Sequence, residues 1–177
     1  MRFCSGCGAP LMESPPTECS ACGRRYWRNA KPGAGALVVD DERLLLVRRA
    51  HDPWRGAWCA PSGFCDGDEH PIRTAEREVL EEAGVRARVT GFLGIWAGGY
   101  GPAGDDAETV AVAYYHAERI DGTGGVPDPA EVSEVGWFAW DELPANLAPP
   151  ERFPAVLAAW HAEYLAGQTV TPLLDRP

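Results

Sequence analysis

Hydrophobic positions in this chain fall into short blocks separated by glycine, proline and acidic residues. The stretch "GALVVDDERLLLVRRA" sets two strand-like apolar runs around a turn at Asp40-Asp41. "HDPWRGAWCAPSGF" then forms an aromatic, glycine-rich loop leading into a short strand. From His70 to Ala83 the pattern becomes helical: Asp68 to His70 offer the cap, Pro71 suits the first turn, and Gly84 ends it. Strand patterns return at "VRARVTGFLGIW" and "TVAVAYYHAERI", with a loop expected between them at "AGGYGPAGDDAE", which holds too much glycine for regular structure. A second loop, "DGTGGVPDPAEVSE", precedes a short strand at "VGWFAW" and a helical turn at "DELP". Residues 151 to 166 make a final helix with Val156, Leu157, Trp160 and Tyr164 on one side. Strands interleaved with two helices predict an α/β sandwich with a mixed sheet.

Ahead of Lys31-Pro32 the periodicity disappears, and the first thirty residues are rich in cysteine and proline. The expected organisation is a small N-terminal segment over residues 1–30, a main domain over 31–166 and a tail over 167–177. Across its 177 residues the chain is 45% hydrophobic and 24% charged, as in soluble globular proteins. Its formal net charge of -10 argues against a dedicated nucleic-acid binder, which would show a basic face. Lys31 is the sole lysine, so arginine supplies nearly all positive charge. No apolar run reaches membrane-spanning length and no signal-peptide pattern opens the chain, so a cytoplasmic address is expected.

Cysteine usage fits that address. Cys4-x-x-Cys7 and Cys19-x-x-Cys22 are each followed by glycine, Gly8 and Gly23. Two such turns can bring four thiolates into a tetrahedron around zinc, and the glycines let the backbone fold tightly behind the sulfurs. A segment this short builds no core of its own, so the metal supplies its folding energy. Four protein ligands close the coordination sphere, which makes the expected site structural. The ribbon carries Arg2, Arg24, Arg25 and Arg28, with Lys31 just beyond it; a brace for the larger domain fits it as well as a nucleic-acid contact does. Cys59 and Cys65 stand apart and suit ordinary thiols near a loop.

The predicted helix at residues 70 to 83 raises a question of charge. Glu78, Glu81 and Glu82 stand at i, i+3 and i+4, so their carboxylates share one face where like charges repel. Three hard oxygen donors on a rigid element suit Mg²⁺ or Mn²⁺. The alternative is a solvated face with ion pairs from Arg77 to Glu81 and from Glu82 to Arg86. That explains alternating charges well and a cluster of three carboxylates poorly.

Gly63, Glu69, Arg77, Glu78, Val79, Glu81, Glu82, Gly84 and Val85 together resemble the box of the Nudix hydrolases, Gly-x5-Glu-x7-Arg-Glu-U-x-Glu-Glu-x-Gly-U with U a bulky aliphatic residue. "LLLVRRAHDPWRGAWCAPSGF" resembles the family's approach to the box, with Ser62 where a second glycine is common, and "EVSEVGWFAWDELP" resembles its closing strand and turn. The cysteine ribbon followed by Tyr26 to Pro32 is similar to a zinc-ribbon-bearing branch that includes pyrophosphatases acting on NADH, FAD or ADP-ribose.

The resemblance implies a Nudix-type α/β/α sandwich and hydrolysis of a nucleoside diphosphate linked to another moiety. By the same resemblance Glu78, Glu81 and Glu82 hold the metals, the Gly63 carbonyl adds a ligand, and Arg77 orients a helix carboxylate with Glu69 as its partner. Members differ in the catalytic base. Some use a box glutamate, here Glu82 or Glu81, and others a loop glutamate, for which Glu131 and Glu134 stand ahead of "VGWFAW". Pro127 and Pro129 restrict the loop and favour Glu131.

Specificity requires surfaces on which a base can stack, and Trp54, Trp58, Trp96 and Tyr100 are the candidates in or beside loops. The Ser-Gln-Pro-Trp motif of many NADH pyrophosphatases is absent, as is the coenzyme A pattern. Pro102 lies near the position associated with ADP-ribose pyrophosphatases. Three readings follow: a pyrophosphatase for dinucleotides, ADP-ribose or nucleotide sugars; a hydrolase of modified nucleoside triphosphates; and a nucleotide-sensing regulatory protein. An intact carboxylate set favours the enzymes. The expected partner is a small nucleotide and not a nucleic acid or a membrane, and a homodimer is compatible with each reading.

Overall fold

The computed structural model describes residues 3–101, 108–121 and 127–166. Pro102 and the tail over residues 167–177 lie outside the described residues. The chain divides into two compact units, Met1–Ala30 and Lys31–Pro177.

In the first unit two short strands, β1 (Thr17–Glu18) and β2 (Arg25–Tyr26), pair antiparallel. Its core is small: Cys4, Cys19 and Tyr26 are buried, with Ala9 and Leu11 packed against them.

The second unit opens with β3 (Lys31–Asp40) and β4 (Arg43–Arg49), an antiparallel hairpin in which Asp40 pairs with Arg43. Its turn residues are Asp41 and Glu42, both with positive φ (48° and 61°), which places the turn one residue later than the apolar pattern suggests. Positive φ at both central positions gives the twist that a two-residue hairpin requires. Burial is continuous from Gly33 to Val38 and from Leu44 to Val47, so both faces of these central strands are covered.

Two short strands follow, β5 (Trp58–Cys59) and β6 (Ser62–Phe64), and then the helix α1 (Pro71–Ala83). The Nδ1 atom of His70 accepts from the Ile72 N–H at 3.2 Å and caps the helix start. Gly84 ends it with φ 66°, a left-handed conformation suited to glycine, and its N–H reaches the Leu80 carbonyl. Ile72, Ala75, Val79 and Ala83 form the buried stripe of α1, which packs on β3.

A long antiparallel pair comes next, β7 (Arg86–Tyr100) and β8 (Glu108–Asp121). The glycine-rich stretch expected to be a loop is strand as far as Tyr100: Ala97, Gly98 and Gly99 pair with Ala111, Val110 and Thr109. Cross-strand hydrogen bonding here overrides the poor strand propensity of glycine. β9 (Val132–Phe138) also begins earlier than expected and pairs with β4. After a 3₁₀ turn at Trp140–Glu142 the chain closes with α2 (Phe153–Leu165). Val156, Leu157 and Trp160 are buried on α2, whereas Tyr164 is exposed and stacks on Trp160.

The sheet order is β5-β4-β3-β8-β7, with β6 on β3 and β9 on β4. β3 and β8 run parallel and the remaining pairs antiparallel, giving the mixed sheet of the expected α/β architecture. Each fully buried aliphatic side chain, such as Leu37, Leu45 or Leu46, contributes roughly 1.5–3 kcal/mol to this core. No helix among the described residues is long and apolar enough to cross a membrane.

Candidate active site

β6 pairs antiparallel with β3, Gly63 opposite Ala34, and this pairing carries the β6 backbone over α1. A β-carbon at Gly63 would collide with the Glu78 carboxyl group, so glycine is what lets that carboxyl lie against the β6 backbone. Glu78 is consequently buried, with 8% of its surface exposed, although it is charged at neutral pH in water.

Arg77 organises the carboxylates around it. Its Nε and Nη2 donate to the two oxygens of Glu69, both at 2.9 Å, as a bidentate fork. Its Nη1 donates to Glu78 at 2.7 Å and to Glu81 at 2.8 Å, and Nη2 also reaches the Phe64 carbonyl at 3.2 Å. Every N–H of the guanidinium is thereby used. Glu69 is held in turn by the hydroxyl of the buried Thr74 at 2.7 Å, and these donors bring its carboxyl down to about 2.

The remaining glutamates feel the opposite pressure. Burial raises Glu78 above the ordinary carboxylate range in spite of Arg77, with Glu81 and Glu131 adding repulsion. Burial also pushes Glu82 up to about 8, opposed by the Ser62 N–H, which donates to it at 2.9 Å. Glu82 thus turns towards β6, while the Arg77–Glu81 pair does form at i,i+4 spacing. Glu78 and Glu81 lie against Arg77 and Glu82 against Ser62, so these oxygens are spread more widely than the cysteine sulfurs described below. Hard oxygen donors in excess of nearby positive charge fit a divalent cation chemically.

These groups line a cavity of about 400 Å³. Of the residues singled out in the sequence, Gly63, Arg77, Glu78, Glu81, Glu82, Glu131, Trp54 and Tyr100 line it. Glu134 does not: it sits on β9 and pairs with Arg48 at 3.2 Å on the surface. Trp58 and Trp96 are not on the cavity wall either. Trp58 packs edge-on against Phe138 with ring centroids 4.9 Å apart, and Trp96 against Tyr114 at 5.9 Å. Trp54 has a positive φ of 63° and meets Tyr100 edge-on at 5.7 Å, with the Arg49 guanidinium over its ring. Such a backbone conformation is strained for tryptophan and is held by its surroundings.

The cavity wall also includes residues the sequence pattern did not single out: Arg49, His51, Tyr114 and Arg152. They come from β4, the loop after it, β8 and the lead-in to α2, so no local motif could have grouped them. Cys59 lines it too, and it is a buried β5 residue, not a loop thiol; burial pushes it up to about 12, with Glu82 adding to the effect.

In the first unit the sulfurs of Cys4, Cys7, Cys19 and Cys22 all lie within 4.8 Å of one another. Among the described residues no other group of three or more His, Cys, Asp or Glu is this compact. Cys4 and Cys22 are 3.6 Å apart and Cys7 and Cys19 3.7 Å, close to the ~3.8 Å edge of a tetrahedron with zinc–sulfur bonds of about 2.3 Å. Gly8 and Gly23 adopt φ of 74° and 71° behind the second cysteine of each pair. Tyr26 donates its hydroxyl to Cys4 at 3.0 Å, which favours the thiolate and brings it down to about 6. All six cysteines are free of disulfides. The donor set is that of a closed, zinc-ribbon-like site.

Comparison with known proteins agrees with this fold. The family profile described as "NUDIX domain" matches residues 29–159. A curated relative from Salmonella heidelberg, named NAD-capped RNA hydrolase NudC, is 29% identical over 155 residues, covering 84% of this chain and 55% of the relative. The chain spans about half the length of the curated relatives it matches. Among solved structures, a NUDIX hydrolase from Nitrosomonas europaea superposes with a TM-score of 0.77 at 25% identity, covering 97% of this chain and 96% of that one. A MutT NUDIX hydrolase from Burkholderia pseudomallei gives 0.65 at 29% identity, covering 74% and 98%.

Proposed function

The chain belongs to the NUDIX domain family, and from that premise we propose that it hydrolyses the pyrophosphate bond of a nucleoside diphosphate linked to another moiety, with divalent metal ions. The observation that carries this reading is the buried Glu78 and the half-buried Glu82 on one cavity wall, both raised by desolvation and lacking a full complement of positive charge. In this reading Glu78, Glu81, Glu82 and the Gly63 carbonyl hold Mg²⁺ or Mn²⁺. Such ions, when bound, would supply a water of lowered pKa and positive charge opposite the diphosphate.

The chain's own residues do the rest. Arg77, anchored on Glu69, fixes the orientation of Glu78 and Glu81, so the carboxylates are positioned before the substrate arrives. Glu131 reaches the cavity from a segment tied to the core by a hydrogen bond from the Ala50 N–H to its carbonyl at 2.9 Å. It takes the proton from the attacking water in this account. Trp54, Tyr100 and Phe64, in edge-on contacts, form the aromatic rim against which a base stacks.

A dinucleotide or ADP-ribose-like substrate is preferred over a triphosphate. The support is the cysteine ribbon ahead of the hydrolase unit together with similarity to relatives named for NAD-capped RNA. The ribbon's four cysteines bind one structural zinc in this account. The test is an assay of the purified chain on NADH, FAD, ADP-ribose, nucleotide sugars and triphosphates, with each metal and with chelator.

A further inference from the structure

We propose that Arg152 is a substrate-binding residue whose guanidinium donates to a non-bridging oxygen of the ligand's diphosphate. The assignment rests on reading the cavity as a nucleoside diphosphate site.

Arg152 stands at the lead-in to α2 with its backbone fixed. Its N–H donates to the Pro149 carbonyl at 3.1 Å, and its carbonyl accepts from Ala155 and Val156 at 3.0 and 3.2 Å. From that anchor the half-buried side chain lines the cavity beside Tyr114 and Pro149 and lies over Gly98 of β7. Its Nη1 is buried and, among the described residues, is the only buried side-chain nitrogen or oxygen without a hydrogen-bond partner. Nor does Arg152 form an ion pair with any described residue. A buried, charged donor without a partner is unfavourable, and such a group calls for an acceptor that the chain itself does not supply.

The other two guanidinium groups on the cavity are held by the chain, Arg77 through all five of its N–H groups and Arg49 through two. Arg77 has spent its donors on Glu69, Glu78, Glu81 and Phe64. Arg49 donates to the Pro53 carbonyl at 2.8 Å and to the Tyr100 hydroxyl at 3.4 Å. Of the three, Arg152 is the one whose guanidinium makes no hydrogen bond to any described residue, so its whole donor fork is open to a ligand. Rotation about its side-chain torsions, with the backbone fixed, turns the guanidinium from Gly98 into the cavity. A diphosphate supplies the anionic, fork-matching acceptor that arginine recognises. Gly98 provides the resting place: a β-carbon there would lie 2.6 Å from Nη1 and 3.1 Å from Cδ.

Calorimetric titration of the full chain with ADP in the presence of Ca²⁺, paired with thermal melts without ligand, tests the assignment. Arg152→Met is expected to weaken ADP binding by ~10–100-fold while the ligand-free melting temperature holds or rises, because an unpaired donor has been removed. Arg152→Lys should recover part of the affinity, since a cation remains. Gly98→Ala, which fills that resting place and so disfavours the withdrawn conformer, should leave ADP binding as tight as wild type or tighter. ADP affinity within twofold of wild type in Arg152→Met overturns the assignment, as does a lysine variant no better than methionine. A fall in melting temperature with affinity unchanged identifies a merely structural arginine and does the same. Failure of the wild-type chain to bind ADP at all refutes the diphosphate reading of the cavity, and this inference with it.

Discussion

Arg77 meets Glu69 through two parallel hydrogen bonds of 2.9 Å, eight positions apart in sequence and across the first turns of α1. The pair fixes the guanidinium plane, and that plane sets where Glu78 and Glu81 can point. Glu69 is drawn from its ordinary value of 4.5 down to about 2, so its ionised form favours the folded state. A depressed carboxylate contributes stability that is present above the unfolded value and is lost as pH falls through the folded one. Glu69→Gln should therefore melt at a lower temperature than wild type at pH 7, and the gap should narrow between pH 4.5 and about 2. Paired thermal melts across that range check it; a gap independent of pH would contradict the electrostatic origin.

Glu82→Gln keeps the shape of the side chain and an acceptor for the Ser62 N–H while removing the ionisable carboxyl. Folding should survive, and hydrolysis should fall at least ~100-fold, as expected on losing a metal ligand or general base. Glu81→Gln should behave alike. Wild-type rates in both variants would remove α1 from the reaction.

Two glutamates that the sequence separates only by the prolines near Glu131 are set apart in space. Glu131 lines the cavity and Glu134 pairs with Arg48 on the surface. Glu131→Gln should lower kcat by ~10²–10⁴-fold and remove the acidic limb of the pH–rate profile, the signature of a lost general base. Glu134→Gln breaks an exposed ion pair, worth about 0–1 kcal/mol, and should leave kcat unchanged. The opposite ranking would move the base onto β9, and loss of the acidic limb in Glu82→Gln alone would return it to α1.

The helix and its row of carboxylates were legible because the relevant spacings are local. Residues 78, 81 and 82 share a face in any α-helix, and Gly84 ends it through a conformation that glycine adopts readily. The cysteine cluster was legible for the same reason: two Cys-x-x-Cys turns carry their geometry with them. What sequence could not supply came from partners distant along the chain. Gly98 and Gly99 are strand because Val110 and Thr109 pair with them. Trp54 and Tyr100 line the cavity whereas Trp58 and Trp96 pack elsewhere, a sorting made by Phe138 and Tyr114 and not by loop composition. Arg152 reaches the cavity because α2 is docked against the unit's core through Phe153, Val156 and Leu157, which no spacing around residue 152 encodes.

The cysteine ribbon makes its own prediction. Protein purified without chelator should contain about one equivalent of zinc, the loading of a closed four-thiolate site. Cys19→Ser should release it and loosen residues 3–30, whose buried core is little more than Cys4, Cys19 and Tyr26, while the second unit stays folded. Elemental analysis decides the matter, and absence of zinc from the wild-type protein would exclude the site.

The most direct test of the proposed activity is product analysis with ADP-ribose and NADH as substrates, in Mg²⁺ or Mn²⁺ and again with excess chelator. The account predicts metal-dependent cleavage between the two phosphorus atoms, releasing AMP and a second monophosphate in equal amounts, with no turnover once the metal is removed. Turnover that persists in chelator, or cleavage of nucleoside triphosphates to monophosphate and pyrophosphate with ADP-ribose and NADH left intact, would contradict it.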